Sequence, residues 1–593
     1  MKSPSVHSCP SCIVLKFGSS VLPTEDHLAH AVHEVYRYLR AGRHVIAVVS
    51  AIGGATDQLL SHASQYGERT TSVGIAALAA IGEARAAALL TLALDRAGVP
   101  ANTLDAAAIG LSTLGDQLNS SPHTVNIDAI KAAFADAPVL VVPGFVGRDA
   151  LGRATLLGRG GSDFTAVYIA AALSCECVLV KDVDALFDRD PSVDPVHAQR
   201  LIEANYDDVL ALSEGIVQHK AVRFVQERGV RVSIARVGHH AGTVIHGGPT
   251  KRGEVGVRTR SRPLRVVVLG VGAVGKGVVD HILRLPDIFQ LVAVIARNVA
   301  KAQSNVGAAV RVLSDPIKAA QTLECDIIVE ALGGIEPATA AIHAALERSI
   351  HVVSANKAAI AASLTSLRAF ASVKNAQLRF SAAVGGGVPV LERVRAIALH
   401  SDIVEVRGVI NGTTNFVLDR LHAGVAFKDA VLAAQQAGLA EADPSSDLDG
   451  WDASYKLMLI ADAAWGSVVP LDRIHRESIR AIDTQQARQA SESGQVYRVI
   501  ASLVRDSHGE VCGDVRPVRV QRDDPLARAT DEHNCVLIRT RDGAQHVLRG
   551  RGAGRFPTAE SVLGDLLDLA TDFASPRAST NQTQTLIAEG INR

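Results

Sequence analysis

A short apolar run followed by three spaced glycines constrains the fold of this 593-residue chain more than any other feature of its sequence. The run is "LRVVVL", and "GVGAVG" after it places Gly270, Gly272 and Gly275 in the G-x-G-x-x-G spacing, with Ala273 and Val274 between them. The first glycine permits a tight turn, the second admits a pyrophosphate, and the third lets a helix pack closely on a strand. The pattern predicts a strand, turn and helix that bind a dinucleotide at the helix N-terminus.

The next apolar segment, "FQLVAVIARN", indicates which dinucleotide binds. A carboxylate at the end of such a strand holds a ribose 2′-hydroxyl, whereas this strand ends in Ala296 and Arg297. A 2′-phosphate is better accommodated there, so we predict NADP, with NAD as the alternative, and Arg297 and Lys301 as phosphate partners. A solvated basic loop explains the same two residues equally well.

Two further strands are predicted to end at the ligand crevice. "DIIVEALGG" reads as a buried strand that leads to Gly333 in a loop beside the nicotinamide, and "HVVSANK" reads as a strand that ends at Lys357. Ligands bind at the carboxyl ends of strands in open α/β sheets, so we expect Lys357 to touch cofactor or substrate.

An acidic segment precedes one lysine that we predict to be buried. "GLAEADPSSDLDGWDASYK" holds five carboxylates before Lys456, and the apolar run "LMLIADAAW" follows. Helical spacing places Asp449, Asp452 and Lys456 on one face. Burial lowers a lysine pKa while carboxylates raise it, and the balance suits proton exchange with an alcohol. Helix capping alone would need fewer acids, and the surplus suits the ammonium group of an amino-acid substrate.

The overall composition excludes several classes of partner. Acidic and basic residues nearly balance, at 61 and 60, so the chain has no basic footprint for nucleic acid. No uncharged apolar stretch reaches the roughly 20 residues that span a bilayer, and the N-terminus lacks the apolar core of a signal peptide. We therefore predict a cytoplasmic protein that acts on small molecules and binds neither nucleic acid nor a membrane.

Residues 264 to about 572 resemble homoserine dehydrogenase. The resemblance is carried, in order, by "GVGAVGKGV", "VEALGG", "HVVSANK", "AAVGGGVPV", "GVINGTTNFVLDRL", "AQQAGLAEADPSSDLDGWDASYK" and "GRGAGRFPTAESVLGDLLDLA". It implies a nucleotide-binding unit, a dimerisation region and a mixed-sheet substrate region. It also implies the interconversion of L-homoserine and L-aspartate 4-semialdehyde with NAD(P).

The same resemblance implies roles for individual residues. Lys456 would transfer the proton of the substrate oxygen with support from Asp452, and Lys357 would lie where cofactor and substrate meet. The remaining implied binding residues are Glu441 and Asp447 for the substrate ammonium, Gly412 and Thr413 for the substrate pocket, and the carbonyls of Val384, Gly386 and Val388 for a monovalent cation, Na+ or K+. Ser381 stands where an acidic residue is common at the start of that cation loop.

The first half alternates β-branched runs with alanine-rich helical stretches, a pattern typical of a mostly parallel α/β sheet. "VLKFGSSVL", "VVSAIGGATDQLL", "GEARAAAL" and "GRGGSDFTA" resemble aspartokinase, of the amino-acid kinase fold. The resemblance implies ATP, Mg2+ and L-aspartate as ligands, with Lys16 and Arg159 stabilising the transferring phosphoryl group. The residues implied to contact aspartate or organise the site are Ser50, Thr56, Glu83 and Asp163, with Asp182 on the nucleotide side.

Several residues of the aspartokinase pattern are absent, which leaves alternatives open. The first glycine loop is short and also resembles that of glutamate 5-kinase, and "KDVDALFDRDPS" has Lys181, Phe187 and Ser192 where threonine, tyrosine and arginine are usual. The first half is therefore either an active aspartate kinase or a non-catalytic binding or assembly module. A third interpretation makes the second half an oxidoreductase for another small amino or hydroxy acid.

These patterns together predict an α/β chain with an amino-acid-kinase-like parallel sheet domain, a Rossmann domain and an α+β substrate and dimerisation domain. The predicted boundaries are a tail at 1–12, a kinase-like domain at 13–247, a linker at 248–263, a Rossmann domain at 264–388, a substrate domain at 389–572 and a tail at 573–593. The linker is too short for a regulatory ACT domain. A homodimer or homotetramer is expected.

Overall fold

A computed structural model describes residues 12–66, 71–194, 196–212, 216–239, 242–253 and 262–574. Half of the predicted linker, residues 254–261, and nearly all of both predicted tails lie outside these residues.

The first half is built on a sheet of nine strands, in the order β13-β10-β12-β11-β9-β1-β2-β6-β3. Its pairs are parallel except β11 with β12 and β10 with β13. A small second sheet, β5-β4-β7-β8, lies beside it. The elements are β1 (Cys12–Phe17), α1 (Leu28–Arg40), β2 (His44–Val49), α2 (Ala55–Ser64), α3 (Ser72–Arg96), β3 (Ala101–Thr103), β4 (Ser112–Asp116), β5 (Asn119–Thr124), α4 (Ile127–Ala133), β6 (Val139–Pro143), β7 (Val146–Arg148), β8 (Ala154–Leu156), α5 (Gly161–Leu173), β9 (Glu176–Lys181), β10 (Leu201–Asn205), α6 (Tyr206–Leu212), α7 (His219–Arg228), β11 (Val232–Arg236), β12 (Thr243–His246) and β13 (Lys251–Arg252).

The second unit is a parallel sheet in the order β16-β15-β14-β17-β18-β19. This is the 3-2-1-4-5-6 order of the Rossmann fold, in which a dinucleotide binds where the strand order reverses. The elements are β14 (Leu264–Leu269), α8 (Ala273–Arg284), β15 (Phe289–Ile295), α9 (Val299–Val306), β16 (Val312–Leu313), α10 (Pro316–Thr322), β17 (Ile327–Glu330), α11 (Ala338–Glu347), β18 (His351–Ser354), α12 (Lys357–Val373) and β19 (Leu378–Arg379).

The third unit is a six-stranded, mostly antiparallel sheet, β21-β23-β22-β20-β24-β25, with helices packed against it. The elements are α13 (Val390–Ala398), β20 (Ile403–Val409), α14 (Gly412–His422), α15 (Phe427–Gln436), α16 (Ser445–Leu448), α17 (Trp451–Trp465), β21 (Ile474–Arg476), α18 (Thr484–Glu492), β22 (Gln495–Arg505), β23 (Val511–Gln521), β24 (His533–Thr540), β25 (Gln545–Arg551) and α19 (Arg555–Ala574). The predicted fold class is confirmed by these three units.

Two boundaries differ from the sequence prediction. Strand β13 pairs with β10, so the first sheet extends to Arg252, inside the predicted linker. Helix α19 packs on α8 and shares the Rossmann core, although the sequence prediction places it at the end of the substrate domain. Its apolar side chains, including Leu563 and Leu566, cover a face of α8 that the sheet leaves exposed.

Helix α3 is the one described helix that is long and apolar enough to span a membrane. Its alanines and leucines pack against the nine-stranded sheet, and Glu83 is buried in its middle. A core helix of this composition passes the same length and hydropathy test, so α3 is weak evidence for a membrane span.

Candidate functional site

The amine of Lys456 is buried where α17 packs on the third sheet. The helix begins after Gly450, whose φ of 81° ends the preceding turn, and it places Asp452 and Lys456 one turn apart. Nζ of Lys456 lies 2.7 Å from Oδ2 of Asp452 and donates to the carbonyl of Ile410 at 2.6 Å. Only 7% of the residue is exposed. The lysine thus lies in the apolar, acid-flanked setting that the sequence predicts.

Asp452 also binds Lys357, which begins α12 at the carboxyl end of β18. Nζ of Lys357 lies 2.7 Å from Oδ1 of Asp452, so one carboxylate joins two amines from different units. Burial alone would raise the pKa of Asp452, but the charges of Lys456 and Lys357 outweigh it and hold this pKa well below its usual range. The charge of Asp452 in turn raises the pKa of Lys357. The Rossmann unit and the third unit therefore meet at an ion-paired cluster.

Asn411 belongs to this cluster, and sequence reasoning missed it. Its amide nitrogen donates to Asp447 at 2.7 Å and to Asp452 at 2.9 Å. Its amide oxygen caps α14 by accepting from the backbone N–H of Thr414. An asparagine directly before a predicted helix, in "NGTTN", was the available signal. Burial, and then the charge of Asp452, raise the pKa of Asp447.

The other predicted substrate residues lie around the cluster. Gly412 opens α14, and the hydroxyl of Thr413 donates to the carbonyl of Leu439 at 2.8 Å. Glu441 is exposed, near enough to Lys357 for its charge to act on that amine.

Asp449 does not share the face of α17 with Asp452 and Lys456, so that prediction is wrong. Its carboxylate accepts from the hydroxyl of Ser478 at 2.6 Å and pairs with Arg480 at 3.0 Å. Helix α17 begins only after Gly450, and this left-handed residue turns Asp449 away from the helix face.

The glycine turn has the geometry that binds a pyrophosphate. Gly270 has a φ of 95°, and α8 starts at Ala273, with Val274 next. A side chain on Gly275 would place Cβ 1.9 Å from the carbonyl oxygen of Gly270, whereas a side chain on Gly272 would meet no protein atom within 4 Å. Gly272 therefore faces open space, where a ligand can approach the backbone.

Arg297 and Lys301 are exposed beyond β15, the strand next to this turn. Gly270 donates its backbone N–H to the carbonyl of Ile295, which ends β15. Asn298 caps α9 through the N–H of Lys301. Gly333, at a φ of 84°, lies in the loop after β17 with open space around its Cα.

Glu330 at the end of β17 is a second residue that sequence reasoning missed. It accepts from Ser354 at 2.6 Å, from the N–H of Leu332 at 2.9 Å and from Asn356 at 3.3 Å. Burial raises its pKa. The carboxyl group thereby ties the loop of Gly333 to the segment that leads into Lys357.

The loop predicted to bind a monovalent cation fits that role only in part. Val384, Gly386 and Val388 are buried, but the carbonyl of Val388 already accepts from the N–H of Val390. Ser381 supplies no charge, and its hydroxyl donates to Asp565 at 2.7 Å. Asp565 is itself paired with Arg40, so its carboxylate offers no unpaired charge to a cation at this loop.

In the first half, Asp163 lies between two lysines. Its carboxylate is 2.6 Å from Nζ of Lys16, which lies in β1, and 3.0 Å from Nζ of Lys181, which is the last residue of β9. Burial opposes the charge of Asp163, but the two amines outweigh it and lower its pKa. Burial, followed by the charge of Lys16, lowers the pKa of Lys181. Lys181 thus supplies a second amine at the position where the aspartokinase pattern has threonine.

The other predicted kinase residues surround this pair of amines. Thr56 donates its hydroxyl to Glu83 at 3.2 Å, and burial raises the pKa of Glu83 to about 8. Ser50 follows β2 and donates its N–H to Phe17. Arg159, in the loop before α5, and Asp182, after β9, are exposed.

The two halves meet at a buried polar interface that the sequence did not predict. Nδ1 of His33 on α1 lies 2.5 Å from Oε1 of Glu560 on α19, and His281 on α8 lies 3.7 Å from the other carboxylate oxygen. Close by, Nη2 of Arg40 pairs with Asp565 at 2.7 Å, Glu392 at 2.9 Å and Asp568 at 3.0 Å.

The Rossmann unit carries Lys357 at the edge of its ligand crevice, and this lysine shares the buried carboxylate of Asp452 with Lys456. This fold and this site define the class of an NAD(P)-dependent oxidoreductase, which is joined here to a kinase-like domain. Family models agree: "Amino acid kinase family" matches residues 11–236, "Homoserine dehydrogenase, NAD binding domain" matches 270–381 and "Homoserine dehydrogenase" matches 389–567. Homoserine dehydrogenase of Synechocystis sp. is 33% identical over 319 residues, 52% of this chain and 73% of the relative. That of Mycobacterium tuberculosis is 32% identical over 320 residues, 52% of this chain and 72% of the relative.

A solved homoserine dehydrogenase structure from Thiobacillus denitrificans is 31% identical, has a TM-score of 0.51 and covers 54% of this chain and 76% of its own. The chain belongs to the homoserine dehydrogenase family, with an amino acid kinase family domain as its first half.

Proposed function

We propose that the second half interconverts L-homoserine and L-aspartate 4-semialdehyde. The main support for this proposal is the buried amine of Lys456, which pairs with Asp452 beside Lys357 at the edge of the Rossmann crevice. Lys456 takes up the proton that leaves the substrate hydroxyl oxygen. NAD(P), held at the glycine turn, would supply the hydride acceptor for the carbon that bears this hydroxyl. Asp452 keeps the amine oriented and balances the positive charge that the proton brings.

The charges of Asp447 and Glu441 both act on the amine of Lys357, and these two carboxylates supply negative charge for the substrate ammonium. Asn411 fixes the carboxylate of Asp447 relative to that of Asp452, so the binding and the proton-transfer groups share one rigid support.

The test replaces Lys456 with alanine. We expect the rate of homoserine oxidation to fall by at least about a thousandfold with little change in NADP affinity, because a general base of this kind contributes roughly 10²–10⁴ in rate. Lys428→Ala removes an exposed lysine of the same unit and serves as the control. Homoserine oxidation that survives in Lys456→Ala, or that is absent from the wild type while a related hydroxy or amino acid is oxidised, would refute the assignment.

We propose that the dinucleotide is NADP, because Arg297 stands where a carboxylate would favour NAD. Arg297→Asp is expected to lower the ratio of NADP to NAD efficiency by about tenfold or more, since it removes a phosphate partner and adds a repelling charge. Lys318→Asp makes the same charge reversal elsewhere in the unit. Equal cofactor ratios in the two variants would show that Arg297 does not contact the 2′-phosphate.

We propose that the first half phosphorylates L-aspartate with ATP. Lys16, and Arg159 from its exposed loop, stabilise the transferring phosphoryl group, and Asp163 orients both Lys16 and Lys181. The exposed carboxylate of Asp182 is suited to the Mg2+ that accompanies ATP. Purified protein with ATP and aspartate should form an aspartyl hydroxamate in hydroxylamine, and Lys16→Ala should not. Equal hydroxamate formation by the wild type and Lys16→Ala would refute the kinase activity and leave the alternative, in which the first half is a non-catalytic module.

A homodimer or homotetramer, a bound monovalent cation and a cytoplasmic location remain predictions. Light scattering of the purified chain tests the first, and dehydrogenase rates compared in Na+, K+ and tetramethylammonium salts test the second.

A further inference from the structure

A cavity of about 170 Å³ lies between the kinase-like half and the Rossmann unit. One wall consists of the carboxyl ends of three strands of the large sheet. It includes Ser20 after β1, Lys181 and Asp182 at the end of β9, and Arg236 at the end of β11. Ligands of open α/β sheets bind at this edge.

The opposite wall comes from the dehydrogenase half. Residues 284–288, which we call the roof turn, connect α8 to β15 and line the cavity from Arg284 to Ile288. A crevice that would otherwise be open to solvent is thus covered by a segment of the other catalytic unit.

The roof turn is held in place on both sides. Ile288 is buried, and a Cβ on Gly238 would lie 2.5 Å from its Cδ1, so the side chain of Ile288 packs directly against the backbone of Gly238. Gly238 donates its N–H to Glu34 at 2.6 Å. Nη2 of Arg236 donates to Asp287 at 2.6 Å, which closes an ion pair between the two units. The cover is therefore a fixed part of the cavity wall.

The cavity suits an anion. Its lining includes the basic side chains of Lys181, Arg236 and Arg284, of which Lys181 pairs with Asp163 and Arg236 pairs with Asp287. Within the part of the chain that the structure describes, no side chain pairs with the guanidinium of Arg284. Lys181 contacts Asp163, and Asp163 contacts Lys16, so a residue that lines the cavity is joined by ion pairs to the candidate phosphoryl-transfer groups. The carboxylate of Asp182 matches a divalent cation that comes with a polyphosphate.

We propose that the roof turn completes the nucleotide site of the kinase-like half and that Arg284 of the dehydrogenase half binds the phosphate groups of a nucleoside triphosphate there. The inference rests on the proposed kinase function. Arg284 is the last residue of α8, and the glycine turn for the dinucleotide lies at the first. One helix therefore links the two nucleotide sites.

The experiment measures MgATP binding to the full chain by calorimetry and aspartate phosphorylation by hydroxamate formation. Arg284→Ala should raise the dissociation constant for MgATP by about tenfold or more, because a charge-assisted contact to phosphate is lost. Arg284→Lys should recover part of the affinity. Arg311→Ala removes an exposed arginine from the same unit, far from the crevice, and should bind MgATP as the wild type does. Unchanged melting temperatures confirm that the variants fold.

The outcomes separate this inference from the proposed kinase activity. Equal MgATP affinity in Arg284→Ala and Arg311→Ala overturns the role of Arg284, whether or not aspartate is phosphorylated. Weaker MgATP binding in Arg284→Ala, but not in Arg311→Ala, supports the role of Arg284. If the wild type then forms no hydroxamate, only the proposed aspartate kinase reaction is refuted. A wild type that binds no MgATP overturns both.

Discussion

Asp452 contacts three side chains at once: the amines of Lys357 and Lys456 and the amide of Asn411. A buried carboxylate is stable only when its charge is compensated, and here the compensating groups come from two units. The same three contacts fix the position of the amine proposed to exchange a proton with the substrate. Structural and chemical roles therefore coincide in one residue.

Asp452→Asn keeps the shape of this side chain and removes its charge. We expect kcat for homoserine oxidation to fall by about a hundredfold, because two charge-assisted contacts worth roughly 1.5–3 kcal/mol each are weakened. Asp443→Asn, in an exposed acid of the same segment that contacts Ser445, should keep wild-type kcat. Steady-state rates decide the matter, and similar losses in both variants would contradict a special role for Asp452.

At the scale of elements, the glycine turn and α8 form one functional unit. Two of its glycines are needed for different reasons, since Gly275 leaves room for the protein backbone and Gly272 leaves room for a ligand. The spacing of the motif predicts both roles, and the space around each of the two residues agrees with them.

Gly275→Ala and Gly272→Ala should therefore separate folding from binding. The first forces a Cβ to within 1.9 Å of the Gly270 carbonyl and should destabilise the protein by about 1–3 kcal/mol, seen as a lower melting temperature. The second should leave the melting temperature unchanged and weaken NADPH binding by about tenfold or more. Fluorescence titration measures the binding. Wild-type NADPH affinity in Gly272→Ala would show that the pyrophosphate does not rest on this turn.

At the scale of the whole molecule, the two halves share a polar interface around Glu560. Burial raises the pKa of Glu560 to about 7 and lowers the pKa values of His33 and His281 to about 3. Arg40 and Arg284 lie near enough for their charges to act on Glu560. Both histidines are thus neutral at pH 7, and the carboxyl group is half protonated there.

Stability should respond to pH through this carboxyl group. Between its ordinary pKa of 4.5 and about 7 the folded protein holds a proton on Glu560 that the unfolded chain releases, so the contribution of Glu560 to the free energy of unfolding falls as pH rises through this window. A shift of this size corresponds to about 3 kcal/mol. The lowered pKa values of His33 and His281 contribute in the opposite direction up to about pH 6.5.

Glu560→Gln cannot titrate, so the melting temperature of the wild type minus that of Glu560→Gln should fall between pH 5 and 7.5. Glu347→Gln, in an exposed glutamate, should follow the wild type. The histidines act equally in all three proteins, so differences between the curves isolate Glu560. Parallel curves for Glu560→Gln and the wild type would contradict the prediction.

The sequence alone determined the fold class and the dinucleotide turn, because hydrophobic periodicity and motif spacing act over a few residues within one element. Its resemblance to homoserine dehydrogenase and aspartokinase singled out Lys456, Lys16 and Asp163, whose roles remain proposals. The sequence could not place Asp449, whose orientation depends on a left-handed turn at Gly450, nor find Asn411 and Glu330, whose partners lie on other elements. Tertiary structure alone decided which lysines share Asp452 and Asp163, that α19 returns to the Rossmann unit, and that Arg284 covers the kinase crevice. Apart from Lys456 with Asp452, which lie one turn apart on α17, those contacts join residues at least 18 positions apart, and only the packing of the three sheets fixes their distances.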